Sequence, residues 1–181
     1  MALLQSERRY SGRVIHVDQD TVRFPDGSTG LLEMIRHPGA SAVVPFLDDP
    51  GSPNPRVLLI HQFRHAADGL LWEVPAGTLS AGEAPDVCAR RELAEEAGME
   101  AAKLQRLTTI FTTPGFTDEQ IHLYLATGLS PVALAREADE FITVHEKRWS
   151  DVGKMIRTGK IRDGKSLGAL MYVNCFIRNG P

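Results

Sequence analysis

The segment that most constrains this chain is RELAEEAG, residues 91–98, in which three glutamates fall within five positions. Pro85 lies ahead of the segment and a glycine ends it, the usual arrangement at the first turn and the stop of a helix. At about 100° per residue, Glu92, Glu95 and Glu96 share one arc about 100° wide. A separate apolar stripe is formed by Val87, Leu93, Ala94 and Ala97. The segment therefore predicts an amphipathic helix whose polar side carries a single sign of charge.

Two interpretations of the acidic arc are open. Like charges at these spacings repel by only roughly 0.2–0.5 kcal/mol per pair on an exposed helix, so the arc could simply be solvated. Alternatively, Glu92 and Glu96, one turn apart, can reach the same hard cation such as Mg²⁺, and Glu95 a second ion or a bound water. We expect Arg91 to hold the preceding loop through Glu83, since a bidentate arginine–carboxylate pair fixes geometry well.

Composition limits the class of protein. The chain has 181 residues, 43% hydrophobic and 24% charged, which is typical of a single soluble domain. A net charge of -3 gives no reason to expect nucleic acid or an anionic membrane as partner. Cys88 and Cys175 have no paired spacing, which excludes a disulfide framework and favours the cytoplasm. The N-terminus lacks an apolar signal core, and no apolar run approaches the roughly 20 residues of a membrane span.

The rest of the pattern is rich in predicted strands. β-Branched residues alternate over 12–24, the turn signal PDGS follows, and the pattern resumes over 29–37, which predicts an N-terminal antiparallel hairpin or meander. Further strands are predicted at 40–47, 56–64, 71–79, 104–113, 120–128 and 141–148, and further helices at 150–158 and 163–179. The positions of the last helix that we expect to be buried are Leu167, Leu170, Met171, Val173 and Phe176. This order indicates an α/β fold, a mixed β-sheet covered by helices.

A known pattern runs through the acidic helix and the loop before it. Its positions are Gly77, Glu83, Arg91, Glu92, Leu93, Glu95, Glu96, Gly98 and Met99. This spacing resembles the Nudix box, with every fixed position filled. The resemblance implies a Nudix fold, an α/β/α sandwich with a mixed β-sheet, over residues 39–181. Residues 1–38 would then be an N-terminal β-region for dimerisation and substrate contact.

The resemblance also implies roles within the box. Glu92 and Glu96 would be the primary ligands of a divalent metal and thereby catalytic, Glu95 a secondary ligand, and the backbone carbonyl of Ala76 a further one. Mg²⁺ is the expected cofactor, with Mn²⁺ able to substitute. The positions expected to be structural are Gly77, Glu83, Arg91 and Gly98.

Three stretches outside the box narrow the expected substrate. WEVPAG precedes the box, TTPGFTDEQIHLYLA follows it with Pro114 fifteen residues beyond Met99, and DGKSLGALM lies near the C-terminus. Together they resemble the ADP-ribose pyrophosphatase branch, which implies metal-dependent hydrolysis of ADP-ribose to AMP and ribose 5-phosphate. One alternative is hydrolysis of another nucleotide sugar such as GDP-mannose, because those enzymes share similar loops. Another is a non-catalytic ADP-ribose-binding sensor, which the intact box disfavours.

Residues outside the box are candidate substrate contacts. Gln62 and Arg64 resemble the Q-x-R of this branch, whose arginine contacts the substrate phosphates; a surface ion pair is the alternative for an arginine at a strand end. Glu119 is a candidate ribose contact. Gly115 of the same loop is a further candidate substrate contact, with a plain turn as the alternative. Arg36 is a further candidate without a specified role.

The catalytic base is expected in READEF, residues 136–141. In this branch a glutamate on a loop far from the box deprotonates the attacking water. Glu140 matches that glutamate best and Glu137 second, with a solvated acidic loop as the alternative.

The resemblance further implies a homodimer that exchanges N-terminal strands and places both subunits around the substrate. Adenine is stacked in this branch by N-terminal residues, for which Arg13, His16, Arg36 and His37 are candidates. We expect Trp72 to belong to the core rather than to an adenine platform.

Overall fold

The computed structural model describes residues 1–133 and 141–178 of the chain. Its strands are β1 Ala2–Ser11, β2 His16–Arg23, β3 Thr29–Arg36, β4 Ala40–Pro45, β5 Arg56–Arg64, β6 Gly69–Glu73, β7 Ala76–Thr78, β8 Met99–Phe111, β9 Gln120–Pro131 and β10 Ile142–Arg148. Its α-helices are α1 Pro85–Ala97, α2 Trp149–Arg157 and α3 Gly164–Val173, with a 3-10 turn at His65–Ala67 and a π-helical turn at Asn174–Arg178. Each predicted strand and helix has a counterpart, and the structure adds β1.

The N-terminal region folds as an antiparallel meander in the order β1-β2-β3. The sequence pattern does not predict β1, because its residues are largely polar and every one of them is exposed. On β2 the buried side consists of Asp18, Asp20 and Val22 rather than an apolar series. The two aspartates form ion pairs with Arg8 and Arg36. A cluster of charges therefore takes the place of an apolar core in this layer.

The last residues of β3 tie the meander to the rest of the chain. The N–H of Ile35 donates to the carbonyl of Phe116 at 2.7 Å, and the N–H of Asp118 donates to the carbonyl of Ile35 at 3.2 Å. Arg36 also contacts Asp118, at 3.4 Å. The expected division of the chain into 1–38 and 39–181 stays a prediction.

The remaining strands form two sheets that helices cover. β4 lies inside a four-stranded sheet, antiparallel to β7 and parallel to β9, with β8 antiparallel to β9. The other sheet is antiparallel, in the order β10-β5-β6. Every residue of β4 is buried. Val43 belongs to the cluster of α1 with Leu93, and Val44 to that of α3 with Leu170. Alternation along β4 thus places helices on both faces, which confirms the predicted α/β fold with a mixed sheet.

Helix α1 presents more than its apolar stripe to the interior. It ends as predicted at Gly98, whose φ of 65° lies in the left-handed region that favours glycine. Val87 is exposed, contrary to the expected stripe, because Cys88 takes the interior position of that turn. Glu92 and Glu96 are 5% and 1% exposed. The acidic arc therefore packs inside the protein, and a merely solvated face is ruled out for these two carboxylates.

The C-terminal helix differs from the expected pattern over its last turns. Leu170 and Val173 are buried as expected, together with Ser166. Met171 and Phe176, which we expected to be buried, are exposed. The π-helical turn that follows α3 changes the angular spacing of the side chains, so the α-helical period does not extend to Phe176.

Within residues 1–133 and 141–178, none of the helices combines the length and the apolar character that crossing a lipid bilayer requires.

Candidate active site

A cleft of about 890 Å³ opens where the meander, the end of β5 and the N-terminal part of the box meet. Its basic side chains, called the cationic wall below, are those of Arg13, His16, Arg36, His37 and Arg64. The wall formed by β7 and α1 includes Ala76, Gly77, Arg91, Glu92, Glu95 and Glu96. The structure thus brings the box carboxylates together with the N-terminal residues singled out from the sequence.

The two buried glutamates of α1 lie directly against the backbone of β7. Glu96 Oε2 accepts a hydrogen bond from the N–H of Ala76 at 2.8 Å. A Cβ added at Gly77 would stand 2.0 Å from Glu92 Oε1 and 2.1 Å from its Cδ. A side chain at position 77 would therefore displace the Glu92 carboxylate, which explains why the chain has glycine there.

Arg91 joins the loop before α1 to the carboxylates on it. Its Nε and Nη2 donate to the two oxygens of Glu83, each at 2.9 Å, which is the bidentate pair expected from the sequence. Its Nη1 donates to Glu92 at 2.5 Å and to Glu95 at 3.0 Å. The guanidinium lowers the pKa of Glu83 to about 2, with help from the N–H of Ser80.

The donor set of this wall suits a hard divalent cation. It offers the carboxylates of Glu92, Glu95 and Glu96 and the carbonyl of Ala76, all oxygen ligands of the kind that Mg²⁺ and Mn²⁺ accept. Among residues 1–133 and 141–178, however, no three Asp, Glu, His or Cys side chains already have the arrangement of a metal site. Arg91, which contacts both Glu92 and Glu95, occupies the position between them. The residues therefore fit a divalent metal, with a shift of side chains around Arg91.

The expected substrate contacts on β5 both reach the cleft. Arg64 lies in its wall and binds Glu73 through Nε and Nη2, each at 2.8 Å. Gln62 is 7% exposed, and its Oε1 accepts no hydrogen bond from the residues that the structure describes. A buried amide oxygen without a donor is uncommon in proteins and indicates a place where a ligand or a water can donate.

The other expected contacts behave differently. Arg36 lines the cleft, but its guanidinium is held by Asp18, Asp20 and Asp118. Glu119 is not part of the cleft wall and accepts a hydrogen bond from Thr112 Oγ1 at 2.8 Å.

The remaining sequence predictions have three different outcomes. Gly115 is exposed and also lies away from the cleft wall. Trp72 packs partly against the core and stacks on His61, with ring centroids 4.3 Å apart. Glu137 and Glu140 lie outside the described residues.

Sequence reasoning missed two charged residues behind the cleft. Glu73 is 1% exposed and is bound by Arg64 and by Lys165 of α3. A charged residue within the otherwise apolar stretch LLWEV, residues 70–74, was the available signal for Glu73. Lys165 follows a glycine at the start of a helix. A charged side chain at such a position is usually exposed to solvent, so no sequence signal indicated its contact with Glu73.

We expect the Glu83–Arg91 pair to make stability depend on pH in acid. Because folding lowers the pKa of Glu83 from 4.5 to about 2, its stabilisation is complete above the unfolded pKa and is lost as pH falls toward 2. In urea unfolding at pH 7, 5, 4 and 3, the free energy of unfolding should therefore be larger for wild type than for Glu83→Gln, and the difference should shrink below pH 5. A difference that stays constant down to pH 3 would contradict the ion pair as the source of this stability.

Comparison with known proteins gives a consistent family. The chain matches the NUDIX domain family over residues 36–169. An ADP-ribose pyrophosphatase from Bacillus subtilis is 36% identical over 172 residues, which cover 94% of this chain and 90% of that protein. A methanol dehydrogenase activator from Bacillus methanolicus is 37% identical over 172 residues, with the same coverage of 94% and 90%. An ADP-ribose pyrophosphatase from Mycobacterium tuberculosis is 35% identical over 176 residues, covering 94% of this chain and 82% of that protein.

A solved structure agrees at the level of the fold. A crystal structure of an ADP compounds hydrolase superposes with a TM-score of 0.78 at 22% identity, covering 96% of this chain and 91% of that chain. Given this shared fold, the family match over most of the chain and the relatives above 30% identity, the protein belongs to the Nudix family.

Proposed function

We propose that this protein hydrolyses the pyrophosphate bond of ADP-ribose and releases AMP and ribose 5-phosphate. Two relatives that are 36% and 35% identical to it are ADP-ribose pyrophosphatases. The Bacillus methanolicus relative is named for an effect on another enzyme, and that name specifies no substrate.

The observation that carries the proposal is the burial of Glu92 and Glu96 against Ala76 and Gly77 in a cleft with a cationic wall. Burying carboxylates costs free energy unless charge or hydrogen bonds offset it. A divalent cation held by Glu92, Glu96, Glu95 and the Ala76 carbonyl would offset it. We propose Mg²⁺, with Mn²⁺ as a substitute. When bound, such a cation polarises a phosphorus centre and lowers the pKa of a coordinated water.

The cationic wall would bind the substrate's phosphates. A chain with a net charge of -3 attracts a dianion only through locally placed cations. Arg64 lies in the wall at the end of β5. Arg13, in the same wall, forms no ion pair with the described residues, so its charge is available to a ligand. Gln62 would accept a hydrogen bond from a substrate hydroxyl or an ordered water through its Oε1, to which none of the described residues donates.

The proton of the attacking water would go to a carboxylate outside the box. On the family resemblance, Glu140 is the first candidate for this base and Glu137 the second. General-base catalysis of this kind typically contributes about 10²–10⁴-fold to the rate.

The meander supports a proposal about assembly. All residues of β1 are exposed, including Leu3, Leu4 and Tyr10, and β1 pairs with β2 along one edge. An exposed strand edge that carries apolar side chains is suited to pairing with another chain. We infer a homodimer in which N-terminal strands are exchanged, so that both subunits lie around the substrate. Cys88 and Cys175 are free thiols, which agrees with a cytoplasmic location.

The substrate can be tested with a panel of nucleotide sugars in the presence of Mg²⁺. ADP-ribose should give AMP and ribose 5-phosphate with kcat/KM at least about tenfold above that for GDP-mannose. Excess chelator should reduce the rate to background, and Mg²⁺ or Mn²⁺ should restore it. Preference for GDP-mannose, or hydrolysis that survives the chelator, would contradict the proposal.

Gly77 provides a second test, because its missing side chain makes room for Glu92. In Gly77→Ala the carboxylate must move by more than 1 Å, so kcat/KM for ADP-ribose should fall at least about a hundredfold. The matched control is Gly153→Ala in α2, where an added Cβ meets no atom of the described residues within 4 Å beyond its chain neighbours and the backbone of its own helix. Circular dichroism should show both variants folded. Wild-type turnover in Gly77→Ala would contradict the assignment of Glu92.

A further inference from the structure

Arg64 is held in one orientation by a buried carboxylate that is not part of the cleft wall. Glu73, the last residue of β6, is 1% exposed and accepts two hydrogen bonds from Arg64, through Nε and Nη2. The Nη1 group of Arg64 has no hydrogen bond to the described residues, and its side chain keeps 38% of its surface exposed. Glu73 therefore fixes one edge of the guanidinium and leaves the other for an anion in the cleft.

A second cation binds the same carboxylate from the helical side. Lys165, near the start of α3, contacts Glu73 Oε2, and its side chain is 12% exposed. Its Nζ also lies 3.0 Å from Asp163 Oδ2. Lys165 thus offsets the charge of the carboxylate nearest to Arg64, so that the charge of Arg64 itself is less completely cancelled.

Hydrogen bonds fix this part of α3 to the strand segment that carries Glu73. Asp163 caps α3 by accepting from the N–H of Ser166 at 2.9 Å. The hydroxyl of Ser166 accepts from the N–H of Val74, also at 2.9 Å, and both residues are buried. Two residues further along, the N–H of Ala76 binds Glu96. The segment 73–76 therefore connects the support of Arg64 to the carboxylates of α1.

We propose that Lys165, acting through Glu73, is a positioning residue that sets the orientation and effective charge of Arg64 toward a phosphate of the bound diphosphate. This inference rests on the function proposed above. It gives a role to the DGKS segment at residues 163–166, which the cleft chemistry alone does not use. Neither Lys165 nor Glu73 lines the cleft, so the effect must pass through Arg64.

The test compares steady-state kinetics of Lys165→Met with wild type. Arg64 would bind the phosphate in the ground state and the transition state alike, so KM for ADP-ribose should rise about tenfold while kcat stays within about twofold. Lys165→Arg restores the charge and should bring KM back to within about threefold of wild type. The matched control is Lys154→Met, since Lys154 is an exposed lysine of α2 paired with Asp151. Its KM should equal that of wild type.

A double-mutant cycle distinguishes a role of Lys165 in positioning Arg64 from a general role of Lys165 in stabilising the fold. In an Arg64→Met background, adding Lys165→Met should change KM by less than about twofold, because the group it acts through is gone. An unchanged KM in Lys165→Met, or an equal rise in both backgrounds, would overturn the inference. If Lys165→Met does not fold, Lys165→Gln, which keeps a polar end to the side chain without the charge, enters the same cycle with the same expected outcome.

The two proposals fail in different ways. A wild-type protein that does not cleave ADP-ribose overturns the proposed function. A wild-type protein that cleaves ADP-ribose, together with Lys165→Met at wild-type KM, overturns only the role of Lys165.

Discussion

The contact of two buried carboxylates with the backbone of β7 is the interaction on which the cleft depends. Glu96 is oriented by the N–H of Ala76, and Glu92 occupies the space that a side chain at position 77 would fill. Because α1 also packs Leu93 against the central sheet, the helix cannot turn these carboxylates toward solvent without losing its core contacts. The protein therefore keeps negative charge inside the cleft, which agrees with the divalent cation proposed above.

Arg91 supplies part of the positive charge that offsets the buried carboxylates, but it supplies only one such charge. Its guanidinium is shared among Glu83, Glu92 and Glu95, so a single positive charge faces three carboxylates, and Glu96 adds a fourth nearby. Four carboxylates and one arginine leave three negative charges, and a bound divalent cation would offset two of them. In the cationic wall, Arg36 and Arg64 are each paired with carboxylates, which keeps their guanidinium groups oriented before a ligand binds. Preorganised cations of this kind favour binding because little order remains to be imposed.

Features set by local spacing could be predicted from the sequence, and features set by distant partners could not. Helix α1, its end at Gly98 and the Glu83–Arg91 pair follow from the periodicity and spacing of one short segment. The burial of Asp18 depends on arginines from two other strands, and that of Glu73 on a lysine 92 residues away. A local sequence pattern cannot predict ion-pair partners that are far away in the sequence. The exposure of Phe176 follows from a π-helical turn that an apolar period does not reveal.

The most direct test of this account is a calorimetric titration of Mg²⁺ into the protein without substrate. Glu96→Gln is the decisive variant, because glutamine keeps an oxygen to accept from the N–H of Ala76 while losing the charge. Wild type should bind Mg²⁺ saturably, and Glu96→Gln should bind at least about tenfold more weakly with an unchanged urea midpoint. Equal Mg²⁺ affinity in the two proteins would contradict the claim that this buried carboxylate holds the cation.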